Sequence, residues 1–126
     1  MSIQSCINTL IAHLPGEHAI VSPGSRNAPV IYALNSSKVT CHSVVDERSA
    51  AFVALGMAKH TKQPVILSCT SGTAAINYYP AIAEAYYARV PLIVITADRP
   101  PEKIDAWDGQ AIRQKGLYNN HIRAEF

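Results

Sequence analysis

Short apolar runs alternate along the chain with segments whose apolar residues recur at helical spacing. The runs predict four strands, at 18–22 (HAIVS), 39–45, 65–70 (VILSCT) and 92–97 (LIVITA). The periodic segments predict helices at 3–14, 27–35, 48–60 and 72–89, the last kinked or restarted at Pro80 because proline lacks a backbone donor. Strands that are apolar throughout and alternate with helices are typical of a parallel α/β sheet with helices on both faces.

The stretch after residue 105 is more polar. Residues 111–116 are compatible with a helix, and 122–126 could begin a further strand. No turn or cap signal precedes the last residue. We therefore expect a single domain over residues 1–126 that is a fragment, with its sheet truncated at the C-terminal end.

Composition excludes several classes of protein. The 126 residues are 48% hydrophobic and 16% charged, which suits one packed core. Eleven Lys and Arg against nine Asp and Glu give no basic stripe for nucleic acid, and the apolar runs are too short to span a membrane. No secretion signal is visible, and three cysteines without a CxxC spacing predict reduced, mostly buried thiols in a cytoplasmic protein. The histidines show no zinc-site spacing, so no metal ligand is predicted.

Polar residues follow every predicted strand. In an open parallel sheet, ligands bind outside the carboxyl ends of the strands, so these residues are expected on one shared rim. The four segments are 22–27 (SPGSRN), 46–49 (DERS), 70–73 (TSGT) and 98–100 (DRP).

The first of these segments resembles an anion site. Gly24 permits a tight turn, the following helix N-terminus attracts negative charge, and Arg26 can fork onto a carboxylate or phosphate. The alternative is an ordinary turn in which Ser25 caps the helix and Arg26 is solvated. The residues alone do not decide between the two.

Glu47 also has two interpretations. A carboxylate in the first turn of a helix is favoured by the helix dipole. Apolar residues on both sides of Glu47 instead suggest a carboxylate in dry surroundings that needs a partner. We expect Asp46 to pair with Arg48 at the surface, which leaves Glu47 pointing elsewhere.

The third segment lacks the GK[ST] ending of a nucleotide-binding P-loop. A turn at Gly72 that brings backbone close to a flat organic ligand fits better than a nucleotide site, but these residues alone favour Ser71 as a simple cap of the next helix.

Arg99 is held by a stiff proline turn, and its simplest alternative is a surface ion pair. Gln110, Arg113 and Gln114 could add polar donors to the rim. Their default interpretation is a solvated helix face.

Together these motifs resemble the N-terminal pyrimidine-binding domain of thiamine-diphosphate-dependent enzymes. Within that superfamily they are most similar to the 2-succinyl-5-enolpyruvyl-6-hydroxy-3-cyclohexene-1-carboxylate synthases. The resemblance runs through nearly the whole chain, in the segments SPGSR, DERS, TSGTA with NYYP, TADRPP and QAIRQ.

The resemblance implies a role for each motif. Glu47 would be the catalytic carboxylate that hydrogen-bonds the aminopyrimidine ring of thiamine diphosphate. The other implied cofactor contacts are Ser71, Gly72, Thr73 and Asn77. The implied substrate contacts, to carboxylates and hydroxyls, are Ser25, Arg26, Arg99 and Gln110.

The resemblance also implies a reaction. Those synthases decarboxylate 2-oxoglutarate and add the product to isochorismate in menaquinone biosynthesis, using a divalent metal, magnesium or manganese. The metal would be bound by a diphosphate domain absent from this chain, so the fragment alone is expected to be inactive, and the parent enzyme a homodimer or homotetramer. The chain departs from the family at Asp108-Gly109, where Ala-Asn is usual, which removes an amide before Gln110.

Two alternatives remain open. One is the pyrimidine domain of another thiamine-diphosphate lyase, such as an acetolactate-synthase relative, although a substrate with one carboxylate would not need several arginines. The other is a stand-alone, non-catalytic module that pairs through the small residues Ala51, Ala54 and Ala58 of the third helix.

Overall fold

Four parallel strands form the sheet in the computed structural model, which describes residues 2–126. They are β1 (His18–Val21), β2 (Thr40–Ser43), β3 (Val65–Cys69) and β4 (Leu92–Thr96), in the spatial order β2-β1-β3-β4. Each lies within its predicted run. Val21 is in register with Ser43 and Ser68, and Cys69 with Thr96, so all four strands end at the same edge.

In the described part of the chain, five α-helices connect and cover the strands: α1 (Ile3–His13), α2 (Ala28–Asn35), α3 (Glu47–Thr61), α4 (Thr73–Asn77) and α5 (Tyr79–Ala88). The predicted interruption near Pro80 is confirmed. The helix breaks at Tyr78, and Pro80 lies in the first turn of α5, where its missing N–H has no helical partner to lose. The parallel α/β fold class is therefore confirmed.

The segment after β4 differs from its prediction. Residues 111–114 are irregular and 115–116 form part of a turn rather than a helix, and within residues 2–126 no strand forms at 122–126. Asp105, Trp107 and Gln110 have positive φ angles of 63°, 57° and 59°, which no α-helix accommodates. Short 3₁₀ turns at Pro101–Lys103 and Asn119–His121 are the regular structure that this segment contains.

The core has two halves, one on each face of the sheet. On one face, alternate residues of β1 and β3 such as Ile20 and Leu67 pack against α3, α4 and α5. On the other, Val21 and Ile66 pack against α1 and α2, with Leu34 completely buried. Because β3 lies inside the sheet, all five of its residues are buried, and four of them are apolar, the exception being Ser68.

The small residues of α3 serve this core. Ala51, Ala54 and Ala58 are 0%, 0% and 1% exposed and let the helix approach the sheet closely. The alternative in which two chains pair through these residues is therefore wrong, since they are buried within this chain. The outward surface of α3 instead exposes Phe52 and Val53.

The two margins of the sheet differ in character. β2 carries the polar residues Thr40 and His42, whereas β4 is apolar (LIVIT), and all five of its residues are half-buried. Within residues 2–126 no strand pairs with the outer margin of β4. A hollow of about 1090 Å³ lies beside it, lined by β4, the end of α5 and residues 121–126 among others.

Two further predictions concern the chain as a whole. Among residues 2–126, no helix is long and apolar enough to cross a membrane. All three cysteines are free, but only Cys69 is buried; Cys41 is half-buried and Cys6 is exposed, so the prediction of mostly buried thiols was wrong.

Candidate functional site

The four polar segments lie at one edge of the sheet, because they follow four parallel strands that end in register. The first segment is also bonded to the ends of the neighbouring strands. The Ser22 amide donates to the Ser68 carbonyl at 2.9 Å, and the Ser22 hydroxyl donates to the Val44 carbonyl at 2.8 Å. Gly24 lies against Thr70 so closely that a Cβ on it would come within 2.6 Å of the threonine side chain. The expected shared rim is therefore confirmed.

Asn27 holds the first of these segments in place, a role that was not predicted from the sequence. The residue is completely buried; its Oδ1 accepts the Gly24 amide at 2.8 Å, and its Nδ2 donates to the Ser22 carbonyl at 3.1 Å. A buried amide with both ends bonded holds the turn in one shape. The spacing of Gly24 and Asn27 was a usable signal, since asparagine side chains commonly bond the backbone of tight turns.

Asn27, rather than Ser25, occupies the cap position of α2, which begins at Ala28. Ser25 as helix cap was therefore a wrong prediction. Ser25 and Arg26 are exposed on the rim, and none of the hydrogen bonds or ion pairs within residues 2–126 engages the Arg26 guanidinium. This free cation is available to an anion.

Glu47 begins α3 and is half-buried. Its neighbour Asp46 is the cap, accepting the Ser49 amide at 2.7 Å, and this bond holds the pKa of Asp46 below its usual range. The expected Asp46–Arg48 ion pair does not form in the structure, because the carboxylate is engaged by the helix end. No hydrogen bond or ion pair within residues 2–126 engages the Glu47 carboxylate.

The interior beneath Glu47 is apolar and contains two groups that are weak acids, the Cys69 thiol and the Tyr78 hydroxyl. Burial, with a smaller contribution from the negative charge of Glu47, raises the pKa of the Cys69 thiol to about 12. Burial also raises the pKa of Tyr78, whose hydroxyl lies beside Ser22 and Cys69 without a hydrogen bond of normal geometry. Both groups are therefore uncharged at neutral pH.

The turn after β3 packs against the segment at 110. The Ser71 hydroxyl donates to the Gln110 carbonyl at 2.9 Å, so Ser71 does not cap α4, whose cap residue is Gly72. Gly72 has a φ of 81°, and a Cβ there would lie 3.0 Å from the Gln110 backbone. Thr73 and Asn77 are exposed on α4, where Asn77 donates to the Thr73 carbonyl.

Gln114 holds the fourth segment in place and is 6% exposed. Its Oε1 accepts the Gly72 amide at 3.1 Å, and its Nε2 donates to the Thr96 hydroxyl at 3.0 Å and the Ala97 carbonyl at 2.7 Å. A solvated helix face was therefore a wrong prediction for this residue, and nothing in the local sequence signals its burial. The Gln110 side chain is exposed on the rim.

Arg99 follows β4, and its side chain is 12% exposed. Its Nη2 lies 3.0 Å from Oδ2 of Asp108, and the same oxygen lies 3.3 Å from the Lys103 ammonium. The two cations hold the pKa of Asp108 below its usual range. The Arg99 Nε is buried and has no hydrogen-bond partner within residues 2–126. Arg113, by contrast, forms an exposed ion pair with Asp105.

The rim thus combines a carboxylate over a dry interior with two arginines that retain unbonded N–H groups. The carboxylate can exchange a hydrogen bond or proton with a ring nitrogen, and the arginines can bind carboxylates. Among residues 2–126 no cluster of three or more histidine, cysteine, aspartate or glutamate side chains could hold a metal ion.

Comparison with known proteins identifies the fold family. The model of the family described as "Thiamine pyrophosphate enzyme, N-terminal TPP binding domain" matches residues 4–121. The chain belongs to this family. Its cofactor is therefore thiamine diphosphate, another name for thiamine pyrophosphate.

Curated relatives are similar to the chain over most of its length. Three proteins named 2-succinyl-5-enolpyruvyl-6-hydroxy-3-cyclohexene-1-carboxylate synthase illustrate this. The one from Christiangramia forsetii is 58% identical over 107 residues, 84% of this chain and 18% of the relative. Those from Lysinibacillus sphaericus and Desulfotalea psychrophila are 58% and 56% identical, over 85% and 86% of this chain and 19% and 20% of the relative. The chain thus spans about a fifth of the length of these relatives.

The residues present fit one end of the cofactor. An aminopyrimidine ring needs a carboxylate beside a ring nitrogen, in a site that excludes water, and Glu47 offers an unengaged carboxylate above the buried Cys69 and Tyr78. A diphosphate with its divalent ion needs several oxygen ligands, and residues 2–126 contain no such cluster.

Proposed function

We propose that this chain is the aminopyrimidine-binding part of a 2-succinyl-5-enolpyruvyl-6-hydroxy-3-cyclohexene-1-carboxylate synthase. The whole enzyme would decarboxylate 2-oxoglutarate and join the four-carbon product to isochorismate, with thiamine diphosphate supplying the electron sink when bound. The observation that carries the proposal is the half-buried Glu47 carboxylate, unengaged by residues 2–126, on the same rim as Arg26 and Arg99. The identity of 56–58% with the named synthases supports the choice of reaction.

Glu47 would hold a hydrogen bond to a pyrimidine ring nitrogen and pass a proton through that bond. Glu47 lies at the first turn of α3, over the buried side chains of Cys69 and Tyr78. Ser71, Gly72, Thr73 and Asn77 would line the approach to the same ring.

The arginines would bind the substrates. Arg26 follows β1 and Arg99 follows β4, and these strands lie on either side of β3, so their ends are separated by about 10 Å. The two arginines thus follow different strands of the rim, which suits substrates with more than one carboxylate, such as 2-oxoglutarate and isochorismate. Ser25 and Gln110, exposed on the same rim, would bind substrate hydroxyls or carboxylates.

Other parts of the parent enzyme would complete the site. The diphosphate and its magnesium or manganese ion would be held by a separate domain, supplied by a second subunit of a homodimer or homotetramer. The exposed apolar side chains Val45, Phe52, Val53 and Ile76, near the Glu47 end of α3 or on the adjoining α4, support such a covering surface.

Replacing Glu47 by Gln in the full-length polypeptide tests the central role. The side chain keeps its shape but can no longer exchange a proton, so turnover of 2-oxoglutarate with isochorismate should fall by about 10²–10⁴-fold. Glu84→Gln, an exposed neutral change on α5, is the matched control and should leave turnover within about twofold. Near-normal turnover of the Glu47 variant would remove Glu47 from the mechanism.

Two further measurements test the assigned reaction and the proposal that a separate domain binds the diphosphate. Turnover of pyruvate alone, at a rate equal to that with 2-oxoglutarate and isochorismate, would favour an acetolactate-synthase relative instead. Calorimetric titration of the 126-residue chain with thiamine diphosphate and magnesium should show no tight binding. A micromolar affinity of the chain for thiamine diphosphate would contradict the proposal that a separate domain is needed to bind the diphosphate.

A further inference from the structure

The cluster of Arg99, Lys103 and Asp108 has an unusual arrangement of hydrogen bonds. Guanidinium groups usually bind carboxylates through two parallel N–H groups. Here Asp108 receives only Nη2 of Arg99, at 3.0 Å, and shares the same oxygen with Lys103 at 3.3 Å. The buried Nε–H of Arg99 is left without a partner in residues 2–126. Nε and Nη2 lie on the same edge of the guanidinium, so Asp108 engages one N–H group of that edge and leaves the other without a partner.

The charges of the cluster do not cancel. Arg99 and Lys103 contribute two positive charges and Asp108 one negative charge, so one positive charge remains. None of the other acidic groups of this segment pairs with the two cations within residues 2–126: Asp98 accepts the Arg99 backbone amide at 2.7 Å, Asp105 pairs with Arg113 at 2.8 Å, and Glu102 is exposed.

We propose that Asp108 is a specificity-determining residue, which orients Arg99 through one nitrogen and cancels one of two positive charges so that the cluster accepts a single carboxylate. The inference rests on the proposed function, in which Arg99 binds a substrate carboxylate. With Asp108 in place, one bound carboxylate neutralises the remaining positive charge of the cluster. A second carboxylate at the cluster would therefore have no unbalanced positive charge to bind. The ligand class is therefore an organic acid that presents one carboxylate to this cluster and its other acidic groups elsewhere on the rim.

Acetate and succinate are suitable probes, because they differ by one carboxylate. The binding constants are measured on the 126-residue chain by following the Arg99 Nε–H resonance in a nuclear magnetic resonance titration. In the wild-type chain, succinate should bind at most about twofold more tightly than acetate, the statistical advantage of having two equivalent ends.

Asp108→Asn removes the charge and retains an oxygen that can accept from Nη2. One unit charge at about 4 Å in water is worth roughly fivefold in affinity, so acetate should gain about fivefold and succinate about twenty-fivefold. The preference for succinate should therefore rise about fivefold. Asp105→Asn, which removes an exposed ion pair of the same segment, is the matched control and should change neither constant by more than twofold.

The outcomes separate the inference from the proposed function. An Arg99 resonance that responds to carboxylates, with an unchanged preference in Asp108→Asn, would overturn the role of Asp108 alone. An Arg99 resonance that responds to neither probe would overturn both that role and the proposed use of Arg99. If Asp108→Asn does not fold, the wild-type titration still decides, because a preference for succinate above about tenfold would contradict a site for one carboxylate.

Discussion

Gln114 offers a direct test of how the candidate site is held together. Its side chain is 6% exposed and joins three segments: the turn at Gly72, the end of β4 at Thr96 and Ala97, and its own loop. We predict that Gln114→Ala destabilises the chain and releases the loop that carries Gln110 and Asp108. The β-sheet itself should persist, since Gln114 contributes nothing to its ladder.

The magnitude follows from the three hydrogen bonds, at 3.1, 3.0 and 2.7 Å. Each is neutral and worth about 1 kcal/mol, and the buried Gly72 amide loses its partner as well. The free energy of unfolding should therefore fall by about 3 kcal/mol, and the melting temperature by roughly 10 °C for a domain of this size.

Urea denaturation followed by circular dichroism measures the free energy of unfolding, and exchange of the Gly72 amide reports the local release. Gln110→Ala is the control, because that side chain is exposed, and its effect should stay within about 0.5 kcal/mol. Gln114→Glu keeps the shape but places an oxygen against the Ala97 carbonyl, and should destabilise at neutral pH by at least as much as alanine. A loss below about 1 kcal/mol in both Gln114 variants would refute the reasoning.

Two further predictions concern backbone strain and pH. Gly72→Ala should lower the free energy of unfolding by about 1–3 kcal/mol, because φ is 81° and the new Cβ would lie 3.0 Å from the Gln110 backbone. Gly56→Ala, in α3 with open space around it, should instead raise it by about 0.5–1 kcal/mol. Equal effects of the two changes in urea denaturation would contradict this reasoning. Burial raises the pKa of Cys69 from 9.0 to about 12, so the folded state binds this proton more tightly than the unfolded state. The stability that it contributes is complete below pH 9 and is lost as the pH rises to 12; Cys69→Ala should flatten that decline, and an unchanged slope would exclude Cys69 as its cause.

The sequence predicted the sheet and its rim well, because both depend on local signals. Buried parallel strands are uniformly apolar, and their flanking turns contain proline or glycine, as at Pro15-Gly16 and Pro64. Once the strands are parallel and in register, topology alone brings Arg26, Glu47 and Arg99 to one edge.

What the sequence did not predict is set by tertiary contacts. Residues 111–116 have helical propensity, but the bonds from Gln114 to two other segments and the positive φ of Gln110 favour turns. Asn27, like Gln114, is a polar residue that is nevertheless buried, because its hydrogen-bond partners are backbone groups of the folded turn. Neither burial has a hydrophobic pattern that could reveal it.

The two margins of the sheet differ in how readily they would pair with another strand. Along β2, Thr40 and His42 provide polar side chains, and water can hydrogen-bond the unpaired backbone amides and carbonyls. Along β4, half-buried apolar side chains flank a row of amides and carbonyls that another extended segment could complete. Such a segment would meet a more apolar surface along β4 than along β2, so a tag is best attached away from β4.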